Sequence, residues 1–116
     1  MKPYKITVTT AETRRNNEVI DHPNYYALPC GKDLEDFISD RQLDFATGSA
    51  LKYYWRAGKK HGESFDKDLR KCRHYCASIA RADGLPKPDS EEAVLAEYVF
   101  IRNLSYEARR WDGGAE

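Results

Sequence analysis

Ala46-Thr47-Gly48-Ser49-Ala50-Leu51-Lys52-Tyr53-Tyr54-Trp55-Arg56-Ala57-Gly58-Lys59-Lys60 is the stretch that decides how this chain folds. On a helical wheel of about 100° per residue, Lys52, Arg56 and Lys59 fall within an arc of roughly 60°. Nearly everything else in the stretch is apolar or small. An ordinary surface helix carries a broad polar face. A narrow basic strip with apolar flanks instead suits the wall of a cleft. Three cations in one arc repel one another and call for anions, such as a di- or triphosphate, which Arg56 can bind in bidentate fashion. The competing reading is a set of solvated cations in surface ion pairs. Replacing Arg56 with alanine is expected to abolish anion binding while leaving melting nearly unchanged; a large loss of stability instead would mark a structural ion-pair network.

The flanking sequence supplies three more helices. One starts near Asp33 and places Leu34, Phe37 and Ile38 on one face, with Asp33, Glu35 and Asp36 in the first turn, where the helix dipole favours negative charge. Another runs from about Phe65 to Asp83 and stops at Gly84. Pro86 and Pro88 then break the chain, and a last helix starts at the cap candidate Asp89 or Ser90 and continues to about Trp111. Residues 4–10 alternate weakly and read as a short strand or extended arm. Residues 11–31 read as an ordered loop, with Tyr25 and Tyr26 packing onto the body. The expected class is all-α: an antiparallel bundle of about four helices behind an N-terminal arm. The organisation is an arm over 1–20, a binding core over 21–83, and a C-terminal helix over 84–116. Tyr98, Phe100, Ile101, Leu104, Tyr106 and Trp111 make that last helix the expected contact of a homo-oligomer.

Composition narrows the function. The 116 residues carry 19 basic and 19 acidic side chains. No global field then draws the chain to DNA, RNA or an anionic membrane, so any anion site is local. No apolar run is long enough to span a bilayer, and the first residues lack a secretory signal. Three cysteines, an odd count, point to a reducing cytoplasm rather than a disulfide framework. Cys72 and Cys76 read as buried thiols on a helix face; the alternative is a metal clip with His22 or His74. P-loop, G-x-G-x-x-G, H-E-x-x-H and G-x-S-x-G motifs are all missing.

The third helix carries a second oddity. Its apolar arc holds Leu69, Cys72, Tyr75, Cys76 and Ile79, and Asp68 falls inside that arc. A carboxylate on a buried face needs a partner, and Lys52 or Arg56 is the natural one. Asp68 is then a counter-ion that orients a phosphate-binding cation, or a metal ligand or base. Lys71, at the arc's edge, joins the basic group. Glu97 sits among Val94, Ile101 and Leu104 in the same way, as a second carboxylate of the site or as a partner at a subunit contact.

These pieces together resemble one family. His22-Pro23-Asn24-Tyr25-Tyr26 is similar to its H-P-x-H-Y opening, Gly48 to Lys60 to its G-N-x-x-K-Y-x-x-R-x-x-x-K core, and Asp68 to Tyr75 to its D-L-x-K-A-x-x-Y segment. This is the phage "domain of unknown function 3310" family (DUF3310), whose best-known member is a nucleotide kinase without a P-loop. The resemblance spans roughly residues 20–80. It implies a helical phage protein that handles nucleoside phosphates, with His22 and Asp68 as catalytic candidates. Lys52, Arg56, Lys59, Lys71, Tyr25, Tyr53 and Glu35 are the nucleotide-binding candidates, and magnesium would sit on Glu35 and Asp68. Tyr25 stands where the family has its second histidine, so one imidazole is lost. The implied activity is phosphoryl transfer to a (deoxy)nucleoside monophosphate. The alternatives are a non-catalytic sponge for a host-defence nucleotide and an inhibitor of a host protein.

Overall fold

A computed structural model of the chain describes residues 24–57, 59 and 65–114. The arm over 1–20, the strand expected at 4–10 and the candidate His22 lie outside them. The described residues form a 3-10 turn, Asn24–Tyr26, and four helices: α1 (Leu34–Asp40), α2 (Phe45–Arg56), α3 (Phe65–Ala82) and α4 (Glu91–Arg110). Their only β-type pairing is a single bridge between Ala27 and Asp33. The class is all-α.

Local chemistry sets the helix ends. Asp33 caps α1 by accepting from the Asp36 N–H, and the Asp36 carboxylate accepts from the Asp33 N–H in return. Asp44 caps α2 by accepting from the Thr47 N–H at 2.8 Å. Ser90, not Asp89, caps α4. Gly84 stops α3 with φ of +81°, a left-handed conformation that costs glycine little. The end of α2 departs from expectation. The helix stops at Arg56, and Ala57 turns to an extended ψ of 123°. Lys59 therefore lies beyond the helix that was expected to carry it.

The core is built around α2, which touches α3, α4 and the 3-10 turn. Leu51, Ala50 and Trp55 meet Cys72, Cys76 and Ile79 of α3 and Ile101, Leu104 and Ala108 of α4. Leu34 and Phe37 seat α1 on the same cluster. Gly48 lets α1 approach closely, since a Cβ there would stand 3.1 Å from Ile38 Cγ2. Trp111 closes the C-terminal end with its ring edge-on to Phe37, centroids 5.7 Å apart. Tyr26, in the turn before α1, packs against this core as the loop reading expected.

Candidate functional site

The site begins with one buried charge. Asp68, in the first turn of α3, is fully buried, with no exposed surface. Its Oδ1 accepts from both Nε and Nη2 of Arg56 at 3.1 Å. The wheel placed this carboxylate on the apolar arc, and its partner is Arg56. Oδ2 accepts no hydrogen bond from the described residues. With no surface of its own, Asp68 meets a ligand only if α2 and α3 part.

Arg56 is drawn into the same pocket. Only 13% of its side chain is exposed. Its guanidinium carbon lies 4.9 Å from the centre of the Tyr53 ring. Burial alone would weaken its hold on its proton, but Asp68 and the Tyr26 phenol outweigh burial and raise its pKa. The Tyr26 hydroxyl is pushed up by burial, which the neighbouring Arg56 only partly offsets. The pairing expected between Asp68 and a stripe cation is thus made by Arg56, and it sets aside the expectation that removing Arg56 leaves melting nearly unchanged. Its side chain is committed to Asp68 and Tyr26, so removing it strands a buried charge.

Two lysines stand at the open edge of this pair. Lys52, one turn before Arg56, has its ammonium 5.7 Å from the centre of the Tyr26 ring and 4.0 Å from Glu35 Oε2. Lys71, from α3, has its ammonium 5.2 Å from the centre of the Tyr53 ring. Tyr53 stacks nearly parallel on Tyr75, centroids 5.9 Å apart with 6° between planes. Tyr25 stands edge-on to Tyr26 at 4.9 Å and reaches the group through it. The structure thus brings together Lys52, Arg56, Lys71, Tyr53 and Asp68, with Glu35 at the rim. Tyr26 and Tyr75 belong to the same group. The aromatic loop before α1 hinted at Tyr26, while Tyr75 had read only as core.

Lys59 does not join them. Its ammonium sits 5.0 Å from the centre of the Trp55 ring, and Arg109 of α4 sits 4.9 Å from that ring. The stripe seen on the wheel splits because α2 ends before Lys59. Glu97 also lies apart. It lines a cavity of about 270 Å³ with Asp44 and Asp83. Burial, then the Asp83 carboxylate, raise its pKa above the ordinary value. It is therefore not a second carboxylate of the Arg56 site.

Cys72 and Cys76 are fully buried in the core. Contact with Cys76 and burial push the Cys72 thiol up, which keeps it protonated. His74 is exposed and stands edge-on to Tyr75. No three His, Cys, Asp or Glu side chains gather as a metal cluster among the described residues. No helix among them is long and apolar enough to cross a membrane.

The family model described as a protein of unknown function (DUF3310) matches residues 15–77. The chain belongs to the DUF3310 family. The matched segment carries Glu35, Lys52, Arg56, Lys59, Asp68 and Lys71 and ends within α3, short of α4. The chain is 30% identical over 99 residues to the SaV protein of Lactococcus phage SK1, covering 76% of this chain and 72% of that one. It is also 30% identical over 100 residues to the SaV protein of Lactococcus phage p2, covering 77% and 73%. No solved structure matches the chain.

Proposed function

We infer that this chain is a phage nucleotide-binding protein whose phosphate site lies where α2 meets α3. One observation carries the reading. Lys52, Arg56 and Lys71 converge from two helices on the Tyr26 and Tyr53 rings, with one buried carboxylate among them. Asp68 answers one of the three charges and holds Arg56 in place. The two lysines at the rim keep an excess of positive charge, which the oxygens of a di- or triphosphate would complement. A base would stack on a tyrosine ring in place of a cation that now lies over it, as the phosphates draw that cation away. Glu35 is the exposed carboxylate beside Lys52, where a nucleotide-borne magnesium ion would find a ligand.

The family resemblance makes phosphoryl transfer to a (deoxy)nucleoside monophosphate the leading activity. Such transfer asks mainly for positioning and charge neutralisation, which Lys52, Lys71 and the anchored Arg56 supply. A second reading, sequestration of a nucleotide without turnover, is favoured by one feature. Asp68, a candidate proton carrier, is sealed in the core.

The test is incubation of the pure chain with a nucleotide panel, followed by chromatography before and after heat denaturation. New nucleotide products support transfer. Unchanged nucleotide that is depleted by folded protein and released by heat supports sequestration. Absence of both product and depletion would remove both readings. Lys52→Ala and Lys71→Ala are each expected to weaken binding about tenfold, the loss of one charge-assisted contact, with melting unchanged.

A further inference from the structure

The Lys59–Arg109 pair is unexplained by the α2–α3 site. Lys59 follows the last turn of α2, and Arg109 lies in the last turn of α4. Each sits near the negative end of a helix dipole, which accounts for a cation at each place. It does not account for both converging on one indole, 5.0 and 4.9 Å from its centre. Trp55 is only 5% exposed, so the ring is a fixed wall and not a stacking platform. The two cations line a cavity of about 230 Å³ whose other walls include Tyr54, Phe65 and Tyr98. No carboxylate among the described residues lines that cavity. Neither cation has an ion pair with a described residue. Burial, and to a lesser extent the Arg109 charge, lower the Lys59 pKa.

We propose that Lys59 and Arg109 form a second anion site, at the junction of α2 and α4, that takes a phosphate group, free or as a small monoester. Two charges facing one apolar wall match a dianion. A guanidinium offers phosphate a two-pronged contact, and an ammonium offers a point charge. A cavity of about 230 Å³ is large enough for a phosphate with a short substituent. This site uses neither Lys52 nor Lys71, so it stands whether or not the α2–α3 site binds nucleotides.

The chain has two tryptophans. Their indole N–H signals in a proton–nitrogen correlation spectrum separate the sites, with Trp111→Phe assigning them. Titrating the full chain with inorganic phosphate, at ionic strength held constant with chloride, is expected to move the Trp55 signal saturably and leave Trp111 still. Lys59→Gln and Arg109→Gln should each weaken that response about tenfold, and Lys71→Gln should not change it. Methyl phosphate is the second probe. Tighter binding than phosphate assigns a monoester, and equal or weaker binding assigns the free ion; both uphold the site. No saturable shift, an equal shift with chloride alone, or loss of the shift in Lys71→Gln would overturn the proposal.

Discussion

Arg56 serves two purposes, and they are separable by substitution. It is the strongest cation of the α2–α3 group and also the lone described hydrogen-bond donor to Asp68. Arg56→Ala leaves a buried carboxylate without its counter-charge. The expected cost is about 3–5 kcal/mol of folding stability, read from urea or thermal unfolding. Replacing Arg56 and Asp68 together with leucine should recover most of that loss, because an apolar pair avoids desolvating two charges. A small effect of Arg56→Ala would mean that Asp68 finds water or another donor. The pair was legible in part. A single charge among Leu69, Cys72 and Ile79 stands out on a wheel, and Arg56 was one of two partners considered. What the wheel could not show is that the partner would be consumed by the pairing. That depends on the depth to which α3 carries Asp68, which is a tertiary distance.

The helices were readable because each has its own local signals: Asp33 and Ser90 as caps, Gly84 as a stop, Pro86 and Pro88 as breakers. The end of α2 was not, since Gly58, Lys59 and Lys60 continue the basic spacing while the backbone turns at Ala57. Pattern persists there after the helix has ended. The Lys59–Arg109 pairing was missed for a related reason. It joins residues 50 positions apart in sequence, and no periodicity connects α2 to α4. Packing of the same α4 against the end of α3 has a pH consequence. The folded state holds the Glu97 proton at pH values where the unfolded chain has lost it, because burial and Asp83 raise its pKa. Stability from this group is full below the ordinary glutamate value and falls as pH rises through the folded value. Glu97→Gln is expected to raise the melting temperature by about 1–2 °C near neutral pH and to give no gain below about pH 4. A gain that persists in acid would assign the effect to packing and not to titration.

At the scale of the whole molecule, α4 is divided between inside and outside. Of the residues expected to make a subunit contact, Ile101 and Leu104 are buried in the chain's own core, and Tyr98 packs edge-on against Tyr54. Trp111 caps the helix and rests on Phe37. Phe100 and Tyr106 remain exposed, joined by Leu95, which is 60% exposed. The homo-oligomer proposal therefore narrows to the face of α4 that the exposed Leu95, Val99 and Tyr106 share, with Phe100 about 140° away around the helix. Sedimentation velocity is expected to show a species larger than one chain, which Leu95→Glu converts to monomer without lowering the melting temperature. A monomer at all concentrations for the unaltered chain would remove that proposal.

The latch between Arg56 and Asp68 has a bearing on how such proteins diverge. It fixes Lys52 and Lys71 relative to each other through the faces of two helices, whereas Lys59 is carried by the connection between them. Insertions or deletions between Arg56 and Phe65 leave the first pair of lysines in register and re-aim the third. Under the two proposals above, lineages with connections of different length can therefore inherit the α2–α3 site intact while gaining, losing or retuning the other. The buried pair acts as a hinge pin about which the rest of the binding surface is free to evolve.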